Sequence, residues 1–224
     1  MRLSRLAAVS AAVALVGLTA LASADTYFPN FVVPATAESA GSTYQEWNGF
    51  ASVAGPNTPA AMTNTAGTAN AFDATAATDG AFLTGGHIYS FSAATDPTIT
   101  FSVPAAGTGS YQSVTLQAET LGNEINLSAV SLTANGGAAV PPLSETLLAQ
   151  SALGGFGGFQ DDYEFVWAVP VSAAGYTISF PAAEPSMSWA GARVDTATAA
   201  AVPEPASAGV LGVVLVTLAR RRRR

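Results

Sequence analysis

The 224-residue sequence predicts an all-β body, an antiparallel β-sandwich of jelly-roll type, between an N-terminal signal helix and a short C-terminal transmembrane helix. Three observations predict the sandwich. Short runs alternate apolar and polar residues, which puts one side chain in two on a buried face. Gly, Pro, Asn and Asp break these runs at roughly 8–12-residue intervals, the spacing of short strands joined by turns. No amphipathic helical stretch of about twelve residues occurs. The nearest, residues 143–153, is short and closed by Gly154-Gly155. No fixed-period repeat is present, which argues against a propeller or solenoid.

Taken in order, the clear strand candidates are residues 97–103, 111–118, 125–134, 163–171, 176–181 and 187–195. Ile99, Phe101 and Val103 share one parity, as do Val114, Leu116 and Ala118, and Tyr163, Phe165, Trp167, Val169 and Val171. Weaker alternation marks residues 26–33, 44–53 and 81–91. Gly107-Thr108-Gly109, Gly122-Asn123, Asn135-Gly136-Gly137 and Ala174-Gly175 supply turns between runs. Residues 57–79, rich in Ala, Thr, Asn and Gly with only Met62 and Phe72 as large apolar side chains, are expected to form a long irregular loop. The resulting organisation is a signal peptide over 1–24, a body over 25–195, a linker over 196–202 and a sorting segment over 203–224.

Charge is distributed unevenly. All eight cations are Arg: Arg2 and Arg5 at the front, Arg220 to Arg224 at the end, and Arg193 between them. Fourteen of the 15 acidic residues lie in 25–202, so that span carries 14 negative charges against one positive, about −13. Such a body repels phosphate, which excludes nucleic acid as a partner. Neither Lys nor Cys is present, so there is no Schiff-base amine, thiol nucleophile, disulfide or Cys-bound zinc.

Arg2 and Arg5 precede an apolar run over 6–22 interrupted by Ser10 and Thr19, and Ala22-Ser23-Ala24 places small residues at the two positions read by signal peptidase. The mature chain is therefore expected to begin at Asp25. At the other end, Pro203, Glu204 and Pro205 lead into an apolar stretch over 206–219 and then Arg220, Arg221, Arg222, Arg223 and Arg224. Fourteen helical residues rise only about 21 Å, short of the ~30 Å hydrocarbon core, so the helix must thin the bilayer or let its arginines snorkel. The arginine block stays on the cytoplasmic side, which places the body outside. A permanent short anchor is the alternative to a removable one.

This ordered set resembles the PEP-CTERM sorting signal. The resemblance implies recognition by exosortase, a membrane-embedded cysteine transpeptidase that would cut near Pro203–Pro205 after a transient stay of the C-terminal helix in the inner membrane. Two prolines around Glu204 remove backbone donors and favour an extended conformation suited to a protease cleft. Tyr44-Gln45-Glu46-Trp47, His87-Ile88-Tyr89-Ser90-Phe91, Leu121-Gly122-Asn123-Glu124-Ile125-Asn126 and Ser188-Trp189-Ala190-Gly191-Ala192-Arg193-Val194-Asp195 resemble body domains of planctomycete-type PEP-CTERM proteins. That likeness implies a secreted jelly-roll-like body and transfers no activity. The expectation is an exported, non-catalytic protein of the cell surface or extracellular matrix, associated with exopolysaccharide.

Within the body, Asp161, Asp162 and Glu164 follow a glycine-rich stretch and offer hard oxygen ligands for Ca²⁺; a solvated acidic turn is the simpler alternative. Tyr44, Trp47 and Trp189 are candidate sugar-stacking rings, with core packing the competing role. Met187, Trp189 and Arg193 share a parity, so Arg193 either faces solvent beside Trp189 or, if buried, needs a carboxylate partner. His87 is the lone histidine and lacks a nucleophile-elbow context. A carbohydrate-binding module, with or without structural calcium, is the alternative function, and a polysaccharide-active enzyme with two facing carboxylates is a more remote one.

Overall fold

The computed structural model describes residues 25, 27–34, 41–63, 67–103, 111–155, 157–170 and 174–199. The signal and sorting segments, with Ala22, Ala24, Pro203, Glu204, Pro205 and Arg220 to Arg224, lie outside the described residues. Among the described residues no helix is long and apolar enough to cross a membrane, and the helical element present is a 3₁₀ turn at Leu127–Ala129.

Strands in chain order are β1 Thr43–Trp47, β2 Ala61–Met62, β3 Ala69–Asp73, β4 Phe82–Thr84, β5 His87–Tyr89, β6 Pro97–Ser102, β7 Tyr111–Gly122, β8 Ser131–Ala134, β9 Ala139–Val140, β10 Ser144–Ala152, β11 Phe159–Pro170, β12 Gly175–Ser179 and β13 Met187–Ala199. They form two antiparallel sheets. The larger, of eight strands, runs β10-β11-β7-β13-β1-β2, with the β4–β5 hairpin added at the start of β13; the smaller, of five strands, runs β3-β6-β12-β8-β9.

Alternation explains the core. From the large sheet, Val114, Leu116, Ala118, Phe165, Trp167, Ala192 and Val194 are buried; from the small one, Ala71, Ile99, Phe101, Leu132, Tyr176 and Ile178 are buried. All belong to one contiguous apolar cluster between the sheets. A two-layer sandwich is the arrangement in which two one-sided sheets remove these faces from water together.

Residues 143–153, too short a run for an amphipathic helix, supply the edge strand β10, paired with β11, with Leu143 and Leu147 exposed. Three expectations need correction. The expected loop over 57–79 contains β2 and β3, the latter paired with β6. Its inward residue Ala71 is fully buried, but the large side chains of that layer, Ile99 and Phe101, come from β6, which is why composition hid the strand. Residues 196–199, expected in the linker, extend β13 in register with β7. In place of the strand candidate over 26–33, residues 27–34 form a strap over the outer face of the large sheet. The Val32 N–H donates to Gln117 Oε1, and Gln117 Nε2 donates to the Val32 carbonyl, both at 2.7 Å. Phe28 and Phe31 are buried beneath the strap and stack at 4.5 Å.

Candidate functional site

One register line across the large sheet sets the electrostatics of its outer face. Glu164 on β11 is opposite Gln117 on β7, Gln117 is opposite Arg193 on β13, and Arg193 is opposite Glu46 on β1. The strap brings Asp25 onto the same spot. Arg193 Nη1 donates to Asp25 Oδ2 at 2.7 Å and to Glu46 Oε2 at 3.4 Å, while Nε and Nη2 hold Asp195 as a bidentate pair at 2.7 and 2.8 Å. Arg193 is 5 % exposed and its three carboxylate partners are similarly buried. Tyr44, half-buried, covers the guanidinium with its ring at 4.5 Å.

Burial and competing charge divide these carboxyls. Burial, followed by the Asp25 charge, pushes Glu46 up to about 8. Burial acts on Asp25 in the same direction, but hydrogen bonds from the Tyr27 N–H and from Arg193 outweigh it and hold Asp25 below its usual value. Burial by itself would lower Arg193; Asp195 and Asp25 more than reverse this, so the guanidinium stays charged.

Alternation separates the proposed calcium ligands. Asp161 faces inward, accepting from Gln150 Nε2 at 2.9 Å, whereas Asp162 faces the strap and accepts from Asn30 Nδ2 at 2.7 Å. Glu164 shares the outer face with Asp162 but sits one register line away, opposite Gln117. The three do not converge, and among the described residues no group of three or more acidic, His or Cys side chains is set to hold a metal ion.

The tryptophans proposed as sugar platforms are core residues. Trp47 and Trp189 are both fully buried. Trp47 Nε1 donates to the Asn57 carbonyl at 2.8 Å and Trp189 Nε1 to the Gly191 carbonyl at 3.0 Å, so each ring is apolar packing with its one donor satisfied. A bulge between Trp189 and Gly191 breaks the parity that joined Trp189 to Arg193: Trp189 enters the sandwich and Arg193 emerges under the strap. A Cβ at Gly191 would run into the Phe28 ring and sit 2.6 Å from the Trp47 carbonyl, so only glycine lets strap and sheet approach this closely.

The aromatic surface lies elsewhere. Phe82 and Tyr89 are register partners in the β4–β5 hairpin, and their centroids lie 5.6 Å apart; Phe91 packs on Tyr89 at 4.5 Å. Phe91 is 70 % exposed and Phe82 40 %. The three rings line a cleft of about 690 Å³ together with Leu121, Asn123, Ser186 and Ser188, the last being the register partner of Tyr89. Sequence reasoning missed this cleft. The available signal was the Gly85-Gly86 turn with Phe82 before it and Tyr89 and Phe91 after it, the last two of parity opposite to that of buried Ile88. His87, in the same hairpin, is half-buried, and burial lowers its pKa.

Compared with known proteins, the chain matches no family model, no curated protein and no solved structure. Function therefore has to be argued from the chain's own residues.

Proposed function

We propose that this is an exported, non-catalytic exosortase substrate whose jelly-roll-like body is delivered to the cell surface or extracellular matrix. One observation carries the reading: ordered pairing reaches close to both routing segments. Asp25, the first residue after the signal-peptidase site, is buried and ion-paired, and β13 reaches Ala199, four positions before Pro203. The jelly-roll form is supported by nested pairing, with β1 on β13, β6 on β12 and β7 on β11, as in a long hairpin rolled on itself. Mass spectrometry of the extracellular fraction should find a chain that starts at Asp25 and ends near Pro203. An intact five-arginine tail on the extracellular protein would sink the reading.

The Phe82–Tyr89–Phe91 cleft favours a second reading, polysaccharide binding by the body. Exposed rings present flat faces to sugar C–H groups, and Asn123, Ser186 and Ser188 in the same lining carry hydrogen-bonding side chains. The lining is uncharged, and the body's one cation, Arg193, is buried with its carboxylates, so the glycan favoured is neutral rather than acidic. In affinity electrophoresis, neutral polysaccharide should retard the body, and Phe91→Ala should weaken binding about tenfold. Equal retardation by an acidic polysaccharide, or an unchanged Phe91→Ala variant, would remove this reading.

A further inference from the structure

We propose that the α-ammonium group created at Asp25 by removal of the signal peptide docks in the buried Asp25–Glu46–Arg193–Asp195 cluster, which thus binds the chain's own new amino terminus. The inference rests on the export reading and on cleavage between Ala24 and Asp25.

Its basis is a charge imbalance with an unspent acceptor. The facing groups are Asp25 from the strap, Glu46 from β1, Arg193 and Asp195 from β13, and Glu164 from β11, whose carboxyl is raised by burial and then by the Asp195 charge. Three carboxylates contact one guanidinium. The Glu46 side chain is 3 % exposed, directs Oε2 at Arg193 and meets the Asp25 carboxylate through a side-chain hydrogen bond, while its Oε1 accepts from no donor. Two buried carboxyls that close share a proton unless a second cation takes its place.

The backbone nitrogen of Asp25 belongs to a residue whose own carboxylate sits in the cluster. In the unprocessed chain it is an amide with one hydrogen, donated to the Phe31 carbonyl at 3.2 Å. Cleavage gives the same nitrogen three hydrogens and a positive charge, one short side chain away from the carboxylate that shares Arg193 with Glu46. Two cations then face three carboxylates. Maturation would thereby tighten the strap.

The pH signs follow from the groups. In the absence of the ammonium, Glu46 holds its proton up to about 8 in the folded protein, well above the ordinary 4.5. The stability this gives is complete below about pH 4.5 and lost as pH rises through about 8. An adjacent ammonium favours the ionised carboxylate and diminishes that loss. The amine in turn should titrate above its ordinary ~7.7–8.0, contributing stability below that range and losing it above its folded value.

The absence of Lys makes the test selective, because the α-amine is the one primary amine in the mature chain. Mature protein is purified from the extracellular fraction, its amino terminus read by mass, and the amine treated with an acetylating reagent at pH 7. The folded protein should react at least about tenfold more slowly than the denatured one. Exhaustively acetylated protein should melt lower at pH 7, with the gap closing towards pH 4, and Glu46→Gln should abolish the gap. If that variant fails to fold, the folded-to-denatured reactivity ratio of the unsubstituted protein decides. An Asp25 terminus that reacts equally fast in both states, with an unchanged melting temperature after acetylation, overturns the inference alone. A different amino terminus overturns the cleavage reading and the inference together.

Discussion

Arg193→Met should destabilise the protein by about 3–5 kcal/mol at pH 7, the range for removing one partner from a buried ion pair. The substitution keeps most of the side-chain volume and deletes the charge that faces Asp25, Glu46 and Asp195. Those carboxyls would then have to take up protons or unfold the strap to reach water. The loss should shrink as pH falls through and below the ordinary carboxylate range and the cluster takes up protons, Asp25 last because its carboxyl is held below its usual value. Arg193→Lys should lie between, because an ammonium keeps the charge but cannot reproduce the two parallel bonds to Asp195 at 2.7 and 2.8 Å. Denaturant titration at pH 4 and 7 checks both variants. A change below about 1 kcal/mol for Arg193→Met would show that the cluster contributes little to folding. Against a total stability on the order of 5–15 kcal/mol, the expected loss is large.

Trp189→Ala should cost a similar ~3–5 kcal/mol, for a different reason. The ring is fully buried, packs on Phe50 at 4.1 Å between centroids and meets Phe180 edge-on at 5.2 Å. Removing it leaves a cavity that two paired sheets cannot close. Trp189→Phe should recover most of the loss, since the indole donor bonds only to the Gly191 carbonyl, two residues along its own strand. Melting followed by near-ultraviolet circular dichroism distinguishes the roles: a stable Trp189→Ala protein that has lost polysaccharide binding would restore the ring to a surface site.

The long strands were legible because burial on one face imposes alternation. Phe165, Trp167 and Val169 on β11, and Val114, Leu116 and Ala118 on β7, are buried as their parity predicts. The β3 strand was not legible: its residues are small and its partner β6 carries the bulk, so the apolar signal was on the wrong strand. The strap escaped detection for a related reason. Its Phe28 and Phe31 are covered by turning over the outer face, and it is tied to the large sheet through the side chains of Gln117 and Asp162. The requirement that a buried Arg193 have a carboxylate partner followed from its chemistry, but which carboxylates answered it did not. Asp25 is 168 positions away and Glu46 is 147.

The sequence by itself determined the all-β class, the unequal charge of body and termini, and the apolar faces of the long strands. These depend on local periodicity and on residue chemistry that no fold can change. Tertiary structure decided which face each short segment served. One extra residue between Trp189 and Gly191 shifts the phase of β13, so two side chains of equal parity end in different layers. That shift takes Trp189 away from any ligand and places Arg193 among carboxylates from the first and last parts of the body. A bulge carries no compositional mark because it depends on how two partners pair across space, which alternation within one strand does not record.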